Sequence, residues 1–325
     1  MDDNFQTLGD VAAGVATGII AFAVNDRASW LKRREPDVTA SVAAALFGVH
    51  PYMTTYQLWA LKSGLINEDP TETPAMRRGR LLEPVALQLL REERPEWRIE
   101  PGSHYFRDER ARIGATPDAF AWRTDVEGRG IVQIKTVGHF AFKKGWRDET
   151  GETEIPLWIA VQASVEAALT GATWAAVAAM SLGDGGLDLH VEEVPLKPAL
   201  MARLRDLVAD FWRRVETQEP YPPDFARDGA IIAKLFADDD GAEIDLSANN
   251  HLGELLDQRE VLKAREGDGA AAAKERKPID AEIIATLGNA ARGHLGDGRV
   301  IEAKTTRRGA YQVAATSFRT VRVKG

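Results

Sequence analysis

The feature that most narrows the fold is a change of hydrophobic period between residues 76 and 134. Across 76–93, behind Pro74, Leu81, Leu82, Val85, Leu87, Leu89 and Leu90 recur at helical spacing, which predicts a strong helix that also carries Glu83. Over 97–134 the pattern breaks into short runs at 97–100, 104–106, 119–122 and 131–134, separated by Gly, Asp and Pro, which predicts a meander of antiparallel strands. A helix rich in Ala, Val and Leu comes next over 155–170 and stops at Gly171; 174–180 and 187–194 read as strands, and 198–216 as an amphipathic helix. Helix, strands, helix, strands, helix describes a mixed central sheet flanked by helices, in the α/β or α+β class.

Upstream, 39–46 and 54–63 read as short helices, the first ended by Gly48-Val49-His50-Pro51, and the apolar run 11–24 as a buried helix. Tyr221-Pro222-Pro223-Asp224 marks a boundary by composition, so the expected division is a principal domain over 1–220 and an extension over 221–325. Within the extension, helical spacing over 246–264 and 270–287 around a break at 267–269, then strand-like alternation over 300–323, predicts a helical hairpin closed by a small β element. No internal repeat or sustained heptad run is present.

With no cysteine among 325 residues, disulfides, thiolate metal sites and cysteine nucleophiles are excluded, and any metal must sit on oxygen or imidazole. The run 11–24 is shorter than the roughly 20 residues a bilayer demands, and Met1-Asp2-Asp3 lacks the basic region of a secretory signal. A cytoplasmic protein without membrane attachment is the expectation. The net charge is −8, yet Lys32-Arg33-Arg34, Arg77-Arg78-Gly79-Arg80 and Lys143, Lys144 and Arg147 form basic clusters, while acidic residues crowd Asp238-Asp239-Asp240. A basic groove in an acidic body suits local, reversible holding of a polyanion.

The residues that could act on such a polyanion lie in the region of changing period. Hydrolysing a phosphodiester calls for a cation that stabilises charge on phosphate oxygens and makes a water nucleophilic; magnesium does so on a few hard oxygen ligands. Glu83 on a helix, Asp118 at the start of one strand and Gln133-Ile134-Lys135 on the next supply such a set. Gln133 and Lys135 share a strand face by alternation. Gln133 can offer a carbonyl oxygen to the metal, as can the Ile134 backbone, and Lys135 can orient water or offset phosphate charge. Gln162, set in an apolar helix, needs a partner if buried.

Taken in order, Gly79-Arg80-Leu81-Leu82-Glu83, Ala115-Thr116-Pro117-Asp118-Ala119, Val132-Gln133-Ile134-Lys135-Thr136 and Ala160-Val161-Gln162 through Gly171 resemble the lambda-exonuclease-like family, also called YqaJ-like viral recombinases. Thr39-Ala40-Ser41, then Leu46 to Tyr52, and Tyr56-Gln57-Leu58-Trp59 resemble the family's upstream motif. The resemblance implies a PD-(D/E)XK exonuclease domain over 1–220, with Glu83, Asp118 and Gln133 around one or two Mg2+ ions (Mn2+ as substitute), Lys135 catalytic and Gln162 close to it. It implies that Arg34, Ser41 and Thr116 hold the 5′-phosphate of the digested strand. It further implies a 5′-to-3′ exonuclease acting on double-stranded DNA ends, leaving 3′ overhangs for a single-strand annealing protein, assembled as a homo-oligomer, in a bacterial host cell with phage or prophage origin.

Two departures matter. Gln133 stands where the family has a carboxylate, so metal affinity is expected to fall and the magnesium requirement to rise. His139, Lys143 and Lys144 occupy the loop where a phosphate-binding arginine is expected. A PD-(D/E)XK endonuclease and a catalytically degenerate DNA-end-binding module are therefore the alternatives.

Overall fold

Ile19–Ala23 is a strand, β1, and not part of the buried helix expected over 11–24; a short apolar run rich in β-branched residues fits either state until a partner edge decides. The computed structural model describes residues 18–24, 26–67, 72–183, 186–265, 270–307 and 317–324; the start of that run, Met1-Asp2-Asp3 and the break at 267–269 lie outside the described residues. The chain separates into two compact units, residues 1–58 with 68–219, and residues 59–67 with 220–325.

In the first unit β1 is followed by α1 (Arg27–Arg34), β2 (Val38–Thr39), α2 (Ala40–Ala43), α3 (Thr55–Lys62, which runs across the division), α4 (Pro74–Glu93), β3 (Arg98–Pro101), β4 (His104–Asp108), β5 (Ile113–Ala115), β6 (Ala119–Trp122), β7 (Gly130–Gly138), α5 (His139–Gly145), α6 (Leu157–Thr170), β8 (Trp174–Gly183), β9 (Gly186–Glu193) and α7 (Pro198–Glu216). The expected single meander is divided between two sheets. One has the order β1-β4-β5-β2 and the other β3-β6-β7-β8-β9. In the second, β7 and β8 are parallel and the remaining pairs antiparallel, so the sheet is mixed. The helix expected over 39–46 is only the single turn of α2, because Val38 and Thr39 pair with β5 instead.

Alternation along β7 assigns its two faces. Val132 and Ile134 join Ala176, Ala178 and Met180 of β8 in a core closed by Ala86, Leu87 and Leu90 of α4. Gln133 and Lys135 therefore face the other way, where both meet α6. α6 is buried nearly all round, the mark of a helix packed inside a domain. It ends on Gly171, whose φ of +70° closes the helix with a left-handed residue.

The four-stranded sheet is fixed by a buried charge. Asp37 is fully buried, accepting from Tyr105 Oη at 2.6 Å and Arg107 Nε at 2.9 Å, which pins the start of β2 to β4.

The second unit contains α8 (Phe225–Leu235), β10 (Glu243–Leu246), α9 (Asn250–Arg265), α10 (Ala270–Leu287), β11 (Arg292–Leu295), β12 (Val300–Arg307) and β13 (Ser317–Lys324). The expected hairpin of α9 and α10 gains a third helix, α8, which also packs on α10. Its sheet has the order β10-β11-β12-β13, with β10 parallel to β11 and the rest antiparallel. Among the described residues no helix is long and apolar enough to cross a membrane.

One glycine sets the approach of the chain to Asp118. Gly102 N–H donates to the Asp118 carbonyl at 2.8 Å, and a Cβ at Gly102 would overlap the Pro117 carbonyl oxygen. Gly102→Ala must push the Pro117-Asp118 backbone aside, and is expected to cost about 2 kcal/mol or more in urea unfolding. Unchanged stability would show that this contact yields without strain.

Candidate active site

Asp118 opens β6 and is held from β7. Its Oδ2 accepts from Ile134 N–H at 2.7 Å and also from the side-chain amide Nε2 of Gln133. Register places it there: Ala119 pairs with Val132, so the residue before β6 comes level with the middle of β7. The Ile134 carbonyl receives a longer contact, 3.3 Å, from the same amide.

From Asp118 a line of hydrogen bonds runs to Lys135 through two glutamines. Lys135 Nζ donates to Gln162 Oε1 at 3.0 Å, and Gln162 Nε2 donates to Gln133 Oε1 at 2.8 Å and to Glu166 Oε1 at 2.9 Å. An ammonium can only donate and an ionised carboxylate can only accept, so the two ends fix the orientation of both amides. Buried Gln162 thus has its partners. The Gln133 carbonyl oxygen, expected to face a metal, accepts from Gln162 with one of its two lone pairs, and the amide NH2 faces Asp118. Lys135 Nζ also lies 5.7 Å from the ring centre of Trp158, which packs with His50 and Tyr52 of the upstream motif.

A second cluster joins α1, β2 and α2 to the approach of β6. Arg34 Nη2 donates to Ser41 Oγ at 3.0 Å and to Thr39 Oγ1 at 3.2 Å, and its guanidinium lies 4.0 Å from the ring centre of Trp30. Trp30 Nε1 in turn donates to Thr116 Oγ1 at 2.9 Å. Arg34, Ser41 and Thr116 are thereby linked, two residues from Asp118. Trp30, Trp158 and Glu166 were not singled out by sequence reasoning. For Glu166 a signal existed, an acid four residues after Gln162 and so on the same face of an apolar helix.

Residues 29–173, which include every one of these side chains, match the YqaJ-like viral recombinase domain family. The match covers less than half of the chain. Among curated proteins none matches the sequence. Solved structures similar to this chain include an alkaline exonuclease from Laribacter hongkongensis, at 22% identity and TM-score 0.47 over 59% of this chain and 94% of that one. A phage-related exonuclease from Haemophilus somnus is similar at 12% identity and TM-score 0.44, over 56% of this chain and 94% of that one.

Within the matched residues three carboxylates share surroundings with one ammonium. Burial raises the Asp118 carboxyl above its ordinary range, against the pull of Lys135 and the hydrogen bonds donated by Ile134 and Gln133. Burial and then the charge of Asp118 push Glu166 well up. Glu83 is open to solvent on its outer side, yet burial of the rest and the Asp118 charge raise it to about 7.

Among the described residues no three His, Asp or Glu side chains are gathered at metal-binding spacing. Magnesium, however, is commonly held by one or two carboxylates with water in the other positions, and the pair Glu83 and Asp118 meets that need. A second observation points the same way: Glu166 Oε2 is buried with no hydrogen-bond partner among the described residues. The donor set is hard oxygen in a locality short of positive charge, so it fits a divalent cation.

These raised proton affinities fix the sign of the pH dependence. All three carboxyls bind protons more tightly folded than unfolded, so their contribution to stability is complete below their unfolded values near 4 and declines as pH rises, that of Glu83 being lost as pH passes through about 7. Without divalent ions the melting temperature is expected to fall between pH 5 and 8, on the order of a few degrees. Asp118→Asn, which keeps an acceptor for Ile134 N–H, should flatten that decline; calorimetry across the pH range checks both.

Proposed function

We propose that this chain is a divalent-metal-dependent 5′-to-3′ exonuclease that digests one strand from double-stranded DNA ends and leaves a 3′ overhang for a single-strand annealing protein in phage-type recombination. The observation that carries the reading is the oriented link from Lys135 through Gln162 and Gln133 to Asp118 inside a YqaJ-like domain. It holds a cation and a carboxylate at fixed positions on one strand pair, as phosphodiester hydrolysis requires.

Each group has its own role. Glu83, Asp118 and the Ile134 carbonyl are the residues that would hold Mg2+, with Mn2+ as a substitute. Such an ion supplies charge to stabilise phosphate oxygens and to make a bound water nucleophilic. Lys135, steadied by Gln162, orients that water or offsets charge developing on the phosphate. Gln133 orients Asp118 rather than ligating through its carbonyl. Arg34, Ser41 and Thr116 offer one guanidinium and two hydroxyls to a terminal 5′-phosphate, a set suited to charge-assisted hydrogen bonds. Exposed Lys143 and Lys144 in the last turn of α5 provide further positive charge for the backbone.

The exonuclease domain spans 1–220, and 221–325 is an accessory extension. The protein works as a homo-oligomer around DNA in the bacterial cytoplasm, with a phage or prophage source.

Blunt, 5′-phosphorylated duplex incubated with the protein and Mg2+ is expected to release mononucleotides, while closed circular DNA stays intact. Lys135→Ala should slow digestion by about 100-fold or more with the fold retained by circular dichroism. Arg34→Ala should erase the preference for a phosphorylated over a hydroxyl 5′ end. Cleavage of closed circles would instead indicate an endonuclease. Absence of digestion at every Mg2+ or Mn2+ concentration, with DNA ends still bound, would indicate a binding module.

A further inference from the structure

The YqaJ-like domain lacks a carboxylate at position 133, yet a carboxylate is present two hydrogen bonds away. Glu166 is only 1% exposed and lies one helical turn beyond Gln162 on α6. Its Oε1 accepts from Gln162 Nε2 at 2.9 Å, while its Oε2 is buried with no hydrogen-bond partner among the described residues. An acidic side chain is almost never carried so deep in an apolar helix without a compensating charge, because taking a lone carboxylate out of water is strongly unfavourable. The Gln162 amide is neutral and satisfies one oxygen only. A cation nearby would favour the ionised form of that carboxyl over the protonated one.

We propose that Glu166 supplies the negative charge that position 133 does not, so that Glu83, Asp118 and Glu166 together set the affinity of the site for a divalent cation. The inference rests on the metal-dependent reading above. Glu166 acts as a positioning and charge-balancing residue: through Gln162 it fixes Lys135, and by its charge it favours the cation beside Asp118.

The same hydrogen bonds explain why this acid sits on the helix. Gln133 donates to Asp118, so a carboxylate in its place would bring two like charges into contact. Moved to Glu166, the charge stays in the locality while the contact with Asp118 becomes an attractive amide-to-carboxylate hydrogen bond. Attraction by Lys135 and repulsion by Asp118 both reach Glu166, which therefore belongs to this electrostatic locality and not to a separate core site.

The test uses the full chain, Mn2+ as the probe and isothermal titration calorimetry without DNA, beside digestion of phosphorylated duplex. Glu166→Gln keeps the size and an acceptor for Gln162 but removes the charge. It is expected to weaken Mn2+ binding by about tenfold or more and to raise the metal concentration needed for digestion. The double variant Gln133→Glu with Glu166→Gln, which returns the charge to the strand, should bind Mn2+ within a few-fold of the wild type.

Wild-type Mn2+ affinity in Glu166→Gln overturns the inference. Should Glu166→Gln fail to fold, Gln133→Glu alone decides: because Glu166 already provides the charge, Mn2+ affinity should change by less than about threefold, whereas a tenfold gain would mean that the charge was missing all along. Wild-type protein that binds Mn2+ and digests DNA while Glu166→Gln is unimpaired defeats this inference alone. Wild-type protein that neither binds Mn2+ nor digests DNA defeats the proposed function, and this inference with it.

Discussion

The domain is organised around a line of hydrogen bonds that has only one possible direction. Lys135 can give protons and take none, Asp118 when ionised can only take them, and Gln162 and Gln133 relay the polarity between them. Every larger element is constrained by that line. β7 must run in a register that sends Gln133 and Lys135 to the α6 face, since a slip of one residue would exchange them for Val132 and Ile134 and bury hydrocarbon against the glutamine. α6 must bring Gln162 over the strand, and its nearly complete burial locks that rotation. Three layers are thereby specified by a few polar atoms in otherwise apolar surroundings.

The two candidate sites are joined by a very short piece of chain. β5 belongs to the sheet that carries the Arg34 cluster's supporting strand, β2, and β6 belongs to the sheet that carries Lys135. Only Thr116-Pro117-Asp118 lies between them. Thr116 is held by Trp30, whose ring also carries the Arg34 guanidinium, and Asp118 by Gln133 and Ile134. The two clusters are thereby spaced by a three-residue segment with a proline in it. Gly102 packs against that same segment, its N–H donating to the Asp118 carbonyl.

Long periodic segments were legible in the sequence. The amphipathic helix over 198–216 coincides with α7, and the helix at Glu83 and the strand at Gln133 lie where alternation and spacing put them. Illegible segments were those whose state depends on a partner: three-residue β5 and two-residue β2 are too short to show a period, and β1 reads equally as helix until it pairs with β4. Helix α8 was hidden by the Pro222-Pro223 signal just before it, which marks a break but carries no information about the state of the residues beyond it. At the site, residue types and order pointed to Glu83, Asp118, Lys135 and Gln162, but not to the orientation of Gln133. An amide has one donor and one acceptor end, and only the positions of Lys135 and Asp118 in space select between them. Glu166 was missed for a related reason: on an apolar helix its meaning rests on burial, which sequence does not report.

Gln133 looks like a loss when set against the family pattern, but the geometry gives it a use. Burial, joined at Glu83 and Glu166 by the charge of Asp118, raises the proton affinities of all three carboxyls, so ionising them destabilises the fold. An amide at 133 replaces one repulsive contact with a hydrogen bond donated to Asp118, and its carbonyl end still anchors Gln162. The polar relay survives with one charge fewer on the strand. On the proposal above the charge is carried by α6, a helix whose other buried side chains are mostly apolar. That helix holds the charge on several sides, whereas a second carboxylate at 133 would replace the hydrogen bond donated to Asp118 with a repulsion.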